Sequence, residues 1–344
     1  MYKKKNREPN FTNLERVLQK RVPERPVLFE FILGDSIKRF LTDGHYASDT
    51  DEAEAYWTMQ AFYSAGYDHC PVVVRGMEFL RGELDETHAT KSLNEGGLIA
   101  DCESFTRYPW PSLKSCDFGL LDRLGEKLPK GMRFVPFSHD GILENTIAIV
   151  GYEALCLMLY DDPKLLASVF HEVGQRIHDY FIRCLAHDNV GAVLLNDDWG
   201  FKSQTMLPPD VLRKHVFPWY AAVAKEAHRR GKYVILHSCG HFEAILDDMT
   251  GMLALDGKHS YEDNILPVED AYELLKGRVA VIGGLDVDFL CRSTPKEIFN
   301  RARKMLMRSA ENGGYALGSG NSIPDYVPLE NYLAMLDAAF EKDE

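Results

Sequence analysis

The chain has 344 residues, 45% hydrophobic and 26% charged, the balance of a soluble globular protein with room for one large core or two ordinary domains. Its 52 acidic against 39 basic residues leave a net charge of −13, which argues against nucleic acid and anionic membrane as partners. No apolar stretch approaches a membrane span. The basic opening Met1-Tyr2-Lys3-Lys4-Lys5 is followed by no apolar signal-peptide core, so a cytoplasmic location is expected.

Seven cysteines, at 70, 102, 116, 156, 184, 239 and 291, form no Cys-x-x-Cys pair, which argues for reduced thiols rather than a disulfide framework. Along the chain, short apolar segments at 27–31, 70–74, 133–137, 192–196, 233–236, 252–255, 279–282 and 315–317 read as strands. Amphipathic patterns at 51–64, 144–160, 163–186, 209–230, 268–276, 295–311 and 329–341 read as helices between them. Asp162-Pro163 and Thr294-Pro295 open two of these, and Gly66, Gly231 and Gly313 close others. Eight strands alternating with helices predict an α/β fold, a single (β/α)₈ TIM barrel. No strand runs into a Gly-x-Gly-x-x-Gly turn, which weakens a doubly wound sheet. Residues 1–24 are read as an N-terminal extension and 25–344 as the barrel, with 76–131 an inserted loop that helps roof its mouth.

In such a barrel, chemistry belongs at the carboxyl ends of the strands. Those ends carry Glu30 and Asp35, Arg75, His139 and Asp140, Asp197 and Asp198, His237 and Cys239, Asp256 with His259, Asp286 with Asp288, and Ser319 with Asn321. The segment Lys232 to Gly240 is the most informative. A period of two puts His237 and Cys239 on one side of the strand end, and an imidazole beside a thiol suits Zn²⁺. Adjacent Asp197 and Asp198 cannot both face the mouth. Asp197 is taken for the site as a proton-transfer group and Asp198 as a helix or loop partner. His139 is the second catalytic candidate. Glu30, Trp199 and Asn321 are the candidate substrate contacts, although a tryptophan is more often core.

Several segments resemble the uroporphyrinogen decarboxylase superfamily over nearly the full length. They are Gly151-Tyr152-Glu153 with Tyr160-Asp161-Asp162-Pro163, Asn196-Asp197-Asp198-Trp199-Gly200, Leu207-Pro208-Pro209, and Phe217-Pro218-Trp219. To these are added His237-Ser238-Cys239-Gly240, Gly283-Gly284-Leu285-Asp286, Gly320-Asn321-Ser322-Ile323-Pro324 and Val327-Pro328-Leu329-Glu330-Asn331. The resemblance implies a single barrel and one of two chemistries. True decarboxylases hold substrate carboxylates with arginines after the first strand. This chain has Phe31-Ile32-Leu33-Gly34-Asp35 there, which suits an octa-anionic tetrapyrrole poorly. The other branch comprises corrinoid-linked methyltransferases that bind zinc through His-x-Cys and a distant Cys.

On that resemblance, His237 and Cys239 are expected to bind Zn²⁺, while the distant cysteine falls at Asn321. A third donor must then come from elsewhere: Glu262 and Asp286 are preferred, with Asp263, Asp197 and His241 as further candidates. The implied function is zinc-assisted methyl transfer between a small methylated compound or thiol and a separate corrinoid protein carrying methylcobalamin, as in a demethylase system. The expected partners leave room for a homodimer. Cofactor-free decarboxylation of a tetrapyrrole and a non-catalytic binding barrel are the alternatives.

Overall fold

The computed structural model describes residues 7–44, 50–82, 93–94 and 97–341. Seven parallel strands follow in order: β1 His69–Val72, β2 Arg133–Pro136, β3 Ala192–Asn196, β4 Tyr233–His237, β5 Gly257–His259, β6 Ala280–Ile282 and β7 Tyr315–Ala316. β1 pairs with β2, and β3 to β7 form a continuous run in chain order. Bridges Phe134 to Val190 and Phe137 to Leu194 tie β2 to β3. Residues 27–31, the first apolar segment, lie parallel to β7: Leu28 bridges Leu317, and the Phe29 amide donates to the Leu317 carbonyl at 2.8 Å. On the other side this segment meets β1 through side chains. Nε2 of His69 is 2.8 Å from the Glu30 carbonyl, and its ring stacks on Phe29 at 4.5 Å. Eight parallel segments in sequence order, with helices between them, give the architecture of a TIM barrel.

Alternation explains the two cores. Inside the ring sit Val27, Phe29, Phe31, Val135, Phe137, Ala192, Leu194, Ile235, Ala280, Ile282 and Ala316, one side of each strand. Their neighbours Leu28, Phe134, Val193, Leu195, Val234, Leu236, Val281 and Leu317 pack outward against the helices. The helix Thr12–Leu18 belongs to the inner set: Phe11, Leu14, Val17 and Leu18 fill the ring's floor. Each such fully buried side chain contributes roughly 1.5–3 kcal/mol. Gly257 makes room for this plug, since a Cβ there would lie 2.8 Å from Leu18 Cδ2.

The outer helices carry apolar residues three and four apart. Pro163–Cys184 buries Leu166, Val169, Phe170, Val173, Ile177, Tyr180 and Phe181 along one stripe. Its start is fixed by Pro163 and by the Asp162 carboxylate, which accepts from the Leu165 amide at 3.0 Å. Among the described residues, no single helix is long and apolar enough to cross a membrane.

One predicted strand is displaced. Residues 252–255 are loop, and the sixth barrel position is β5, Gly257-Lys258-His259. Its three residues are all buried, yet none is apolar, so hydrophobicity points to the wrong segment. The region 76–131 contains the helices Cys102–Arg107 and Gly119–Gly125. It packs on the barrel's outer helices through Leu98 and Ile99 amides donating to the Ile149 carbonyl and Arg176 donating to the Pro111 carbonyl. Residues 83–92 and 95–96 of this region lie outside the described residues.

Candidate metal centre

The register of β3, β4 and β5 places Asn196, His237 and His259 side by side at the carboxyl ends, all on the inward parity set by Leu194 and Ile235. The chain leaves β3 and β4 in two loops that touch backbone to backbone. A Cβ on Gly240 would lie 2.1 Å from the Gly200 carbonyl oxygen, and φ of Gly240 is +83°, a conformation suited to glycine. This approach brings Asp198 against Cys239: its Oδ1 accepts from the Cys239 amide at 2.6 Å.

Among the described residues, the His, Cys, Asp and Glu side chains that gather closely enough to share one ion are Asp198, His237 and Cys239, with donor atoms within 4.8 Å of one another. Nε2 of His237 and Sγ of Cys239 are 3.7 Å apart. Zinc bonds of about 2.1 and 2.3 Å at a tetrahedral angle separate N and S by about 3.6 Å, close to the spacing of this pair. The nitrogen, sulfur and oxygen donors form a three-ligand set of the kind catalytic zinc uses.

The surroundings are partly buried and charged. His237 is 4% exposed, and burial holds its imidazole well below the usual histidine range. Burial, reinforced by the Asp198 charge, pushes the Cys239 thiol up to about 12. This thiol therefore keeps its proton until a cation displaces it. Lys258 is fully buried beside the cluster, donating to the Ser238 carbonyl at 3.1 Å and to the Ser260 carbonyl, over the rings of Phe242 and Tyr261. Burial lowers it to about 8, while Cys239, Asp198 and Glu262 favour its charged form. Ser260 Oγ lies 3.5 Å from the Cys239 sulfur, and Asn321 Nδ2 donates to that sulfur at 3.4 Å.

Behind the cluster, Nδ1 of His237 is 2.7 Å from Nδ1 of His259, whose Nε2 is 3.2 Å from the Ser319 carbonyl. Phe31 packs on His237 with ring centroids 4.5 Å apart. That phenylalanine also floors a cleft of about 220 Å³ with Phe137, walled by Lys38, Arg75 and His139. A second cleft of about 180 Å³, lined by Met77, Phe79, Ser138 and Asn145, meets the first at Val73 and His139.

Of the residues singled out from sequence, His237, Cys239 and Asn321 converge, and His139 stands exposed between the two clefts. Asp286, Glu262, Asp197, Trp199 and Glu30 do not join the cluster. Asp286 caps the helix Val287–Arg292, accepting from the amides of Phe289 at 3.0 Å and Asp263 at 2.8 Å. Glu262 heads a turn whose Ile265 and Leu266 amides return to its carbonyl. Asp197 is fully buried and accepts from the amides of Ile142, Leu143 and Glu144, the Trp199 indole and the Tyr220 hydroxyl, at 2.9–3.0 Å. Burial raises it to about 6, against those donors. Trp199, 1% exposed, is core beside Phe217 and Tyr220. Glu30 is fully buried against Ser319 rather than at the mouth. Sequence reasoning missed Asp198 as a cluster member and left His259 and Lys258 without a role.

An α/β barrel with a nitrogen, sulfur and oxygen donor set at the carboxyl ends of its strands defines a barrel enzyme scaffold with a candidate metal centre. The sequence profile of uroporphyrinogen decarboxylase (URO-D) matches residues 139–341, more than half of the chain, and the chain belongs to that family. A methylated-thiol–coenzyme M methyltransferase of Methanosarcina mazei is 26% identical over 40% of this chain and 35% of its own length. A uroporphyrinogen decarboxylase of Anaeromyxobacter dehalogenans is 26% identical over 55% of this chain and 51% of its own length. The matches thus span only about a third to a half of these relatives. Among solved structures, a methyltransferase from Methanosarcina mazei superposes with a TM-score of 0.72, covering 97% of this chain and 99% of its own at 15% identity. That likeness concerns the fold alone.

Proposed function

We propose that the protein is a zinc-assisted methyltransferase that moves a methyl group between a small methylated compound or thiol and a separate corrinoid protein carrying methylcobalamin. The observation that carries this reading is the convergence of Asp198, His237 and Cys239 at the mouth of the barrel. A zinc ion there would act as a Lewis acid, lowering the pKa of a bound thiol or hydroxyl and so favouring it as methyl acceptor or leaving group. The chain's own residues supply the rest. His237, Cys239 and Asp198 would hold the ion, Lys258 balances the negative charge of the thiolate and carboxylate, and the Phe31–Phe137 floor presents an apolar surface beside the cluster. His139 lines both clefts and would face a substrate held in either. The similarity to a methyltransferase acting on methylated thiols supports the same branch.

The decarboxylase reading is disfavoured by charge. The two cations of the larger cleft are already engaged: Lys38 pairs with Asp35 at 2.9 Å, and Arg75 with Glu54 at 2.8 Å and Asp51 at 3.3 Å. A polycarboxylate would have to compete with those acids for both cations.

The test is metal content by elemental analysis of anaerobically purified protein, followed by transfer from methylcobalamin to a panel of small thiols and phenols. Near-stoichiometric zinc that is lost in the His237→Ala, Cys239→Ala double variant, with demethylation of the corrinoid, supports the reading. Absence of zinc after reconstitution sinks it.

A further inference from the structure

His259 has no role in the reading above, yet it is fully buried and shares a hydrogen bond with a candidate metal ligand. Its two nitrogens have different partners. Nε2 faces the Ser319 carbonyl at 3.2 Å, and a carbonyl has no proton to give, so Nε2 carries one. His259 and His237 are 0% and 4% exposed among Phe29 and Phe31, an environment that keeps both rings neutral. With its proton on Nε2, His259 offers only a lone pair at Nδ1. The proton in the 2.7 Å Nδ1–Nδ1 contact therefore belongs to His237, whose Nε2 is left bare. That is the atom 3.7 Å from the Cys239 sulfur.

We infer that His259 is a positioning residue: it fixes His237 in the Nδ1–H tautomer and aims the Nε2 lone pair at the position shared with Cys239 and Asp198. The end of the chain is itself anchored. The Ser319 amide and hydroxyl both donate to the Glu30 carboxyl, the hydroxyl at 2.7 Å, and the Ser319 carbonyl also accepts from the Gly284 amide at 2.8 Å. Direction thus runs one way, from a fixed carbonyl through two imidazoles to an open nitrogen. A histidine ligand is commonly oriented by what its other nitrogen donates to. Here the acceptor is a second histidine, whose own tautomer must first be set.

This rests on His237 being a metal ligand, but its tautomer can be read without any metal. Long-range ¹H–¹⁵N correlation spectra of the metal-free protein are expected to show His237 protonated on Nδ1. Two variants separate orientation from packing. His259→Asn keeps an acceptor at the Nδ1 position, whereas His259→Leu removes it. Zinc affinity, measured by competition with a chromophoric chelator, is expected to stay within about threefold in His259→Asn and to fall about 10- to 100-fold in His259→Leu. The leucine variant is also expected to lose the single His237 tautomer. A wild-type His237 protonated on Nε2 overturns the inference, and this holds even if the leucine variant does not fold. So does an unchanged tautomer and affinity in His259→Leu, or an asparagine variant as weak as the leucine one. Zinc bound as expected with no methyl transfer overturns the methyltransferase reading alone.

Discussion

The side-chain amide of Asn321 donates to the sulfur of Cys239 at 3.4 Å, so the loop after β7 reaches the cluster built by the loops after β3 and β4. An amide oxygen is a poor zinc ligand, while a thiolate is a preferred one. Asn321→Cys is therefore expected to complete a His, Cys, Cys set and to tighten zinc by at least tenfold, about 1.4 kcal/mol. Chelator competition on the two proteins measures it. Equal affinities would mean that the position does not face the ion.

Asp198 and Asp286 are both acids at strand ends, but they do different work. Asp198→Ala is expected to lower zinc content sharply while leaving the fold intact, since one cluster ligand goes. Asp286→Ala is expected to retain zinc and to lose about 1 kcal/mol of stability, the usual cost of removing a helix cap. Elemental analysis and urea midpoints of the two variants decide it. Zinc lost from Asp286→Ala and kept in Asp198→Ala would reverse the assignment.

The strands around the cluster show what was legible in the sequence. The barrel could be read because seven of its eight segments are short apolar runs between helix patterns. β5 could not, because its buried residues are Gly257, Lys258 and His259: a plug from Leu18 fills the glycine's space, and two carbonyls and two rings satisfy the lysine. His237 and Cys239 were legible as a pair from strand periodicity. The choice between Asp197 and Asp198 was not, because Ala192 to Leu195 is apolar on both faces, so nothing in β3 fixes which parity points inward. That phase comes from packing: Leu194 lies in the inner core and Val193 in the outer.

Asp197 is expected to matter for folding rather than for proton transfer. Its carboxylate ties the first turn of the helix Ile142–Val150 to Trp199 and Tyr220. Asp197→Asn puts an amide donor among five donors, leaving some unsatisfied in a dry site. The expected loss is about 3 kcal/mol or more, read as a lower urea midpoint. A variant with wild-type stability but no activity would return Asp197 to a catalytic role.

Glu30 makes stability depend on pH. Burial raises its carboxyl from 4.5 to about 8, against the Ser319 hydrogen bonds. Between those values the folded chain holds a proton that the unfolded chain has released, so rising pH favours unfolding. Stability from this group is thus greatest below pH 4.5, declines through the window to about 8 and is level above it. The full span corresponds to a loss on the order of 4–5 kcal/mol. Glu30→Gln has no proton to lose there. Its urea midpoint relative to wild type is expected to climb steadily from pH 5 to pH 8, with the variant the more stable at the alkaline end. Parallel profiles for the two proteins would show that Glu30 is ionised in the fold throughout, its charge met by Ser319.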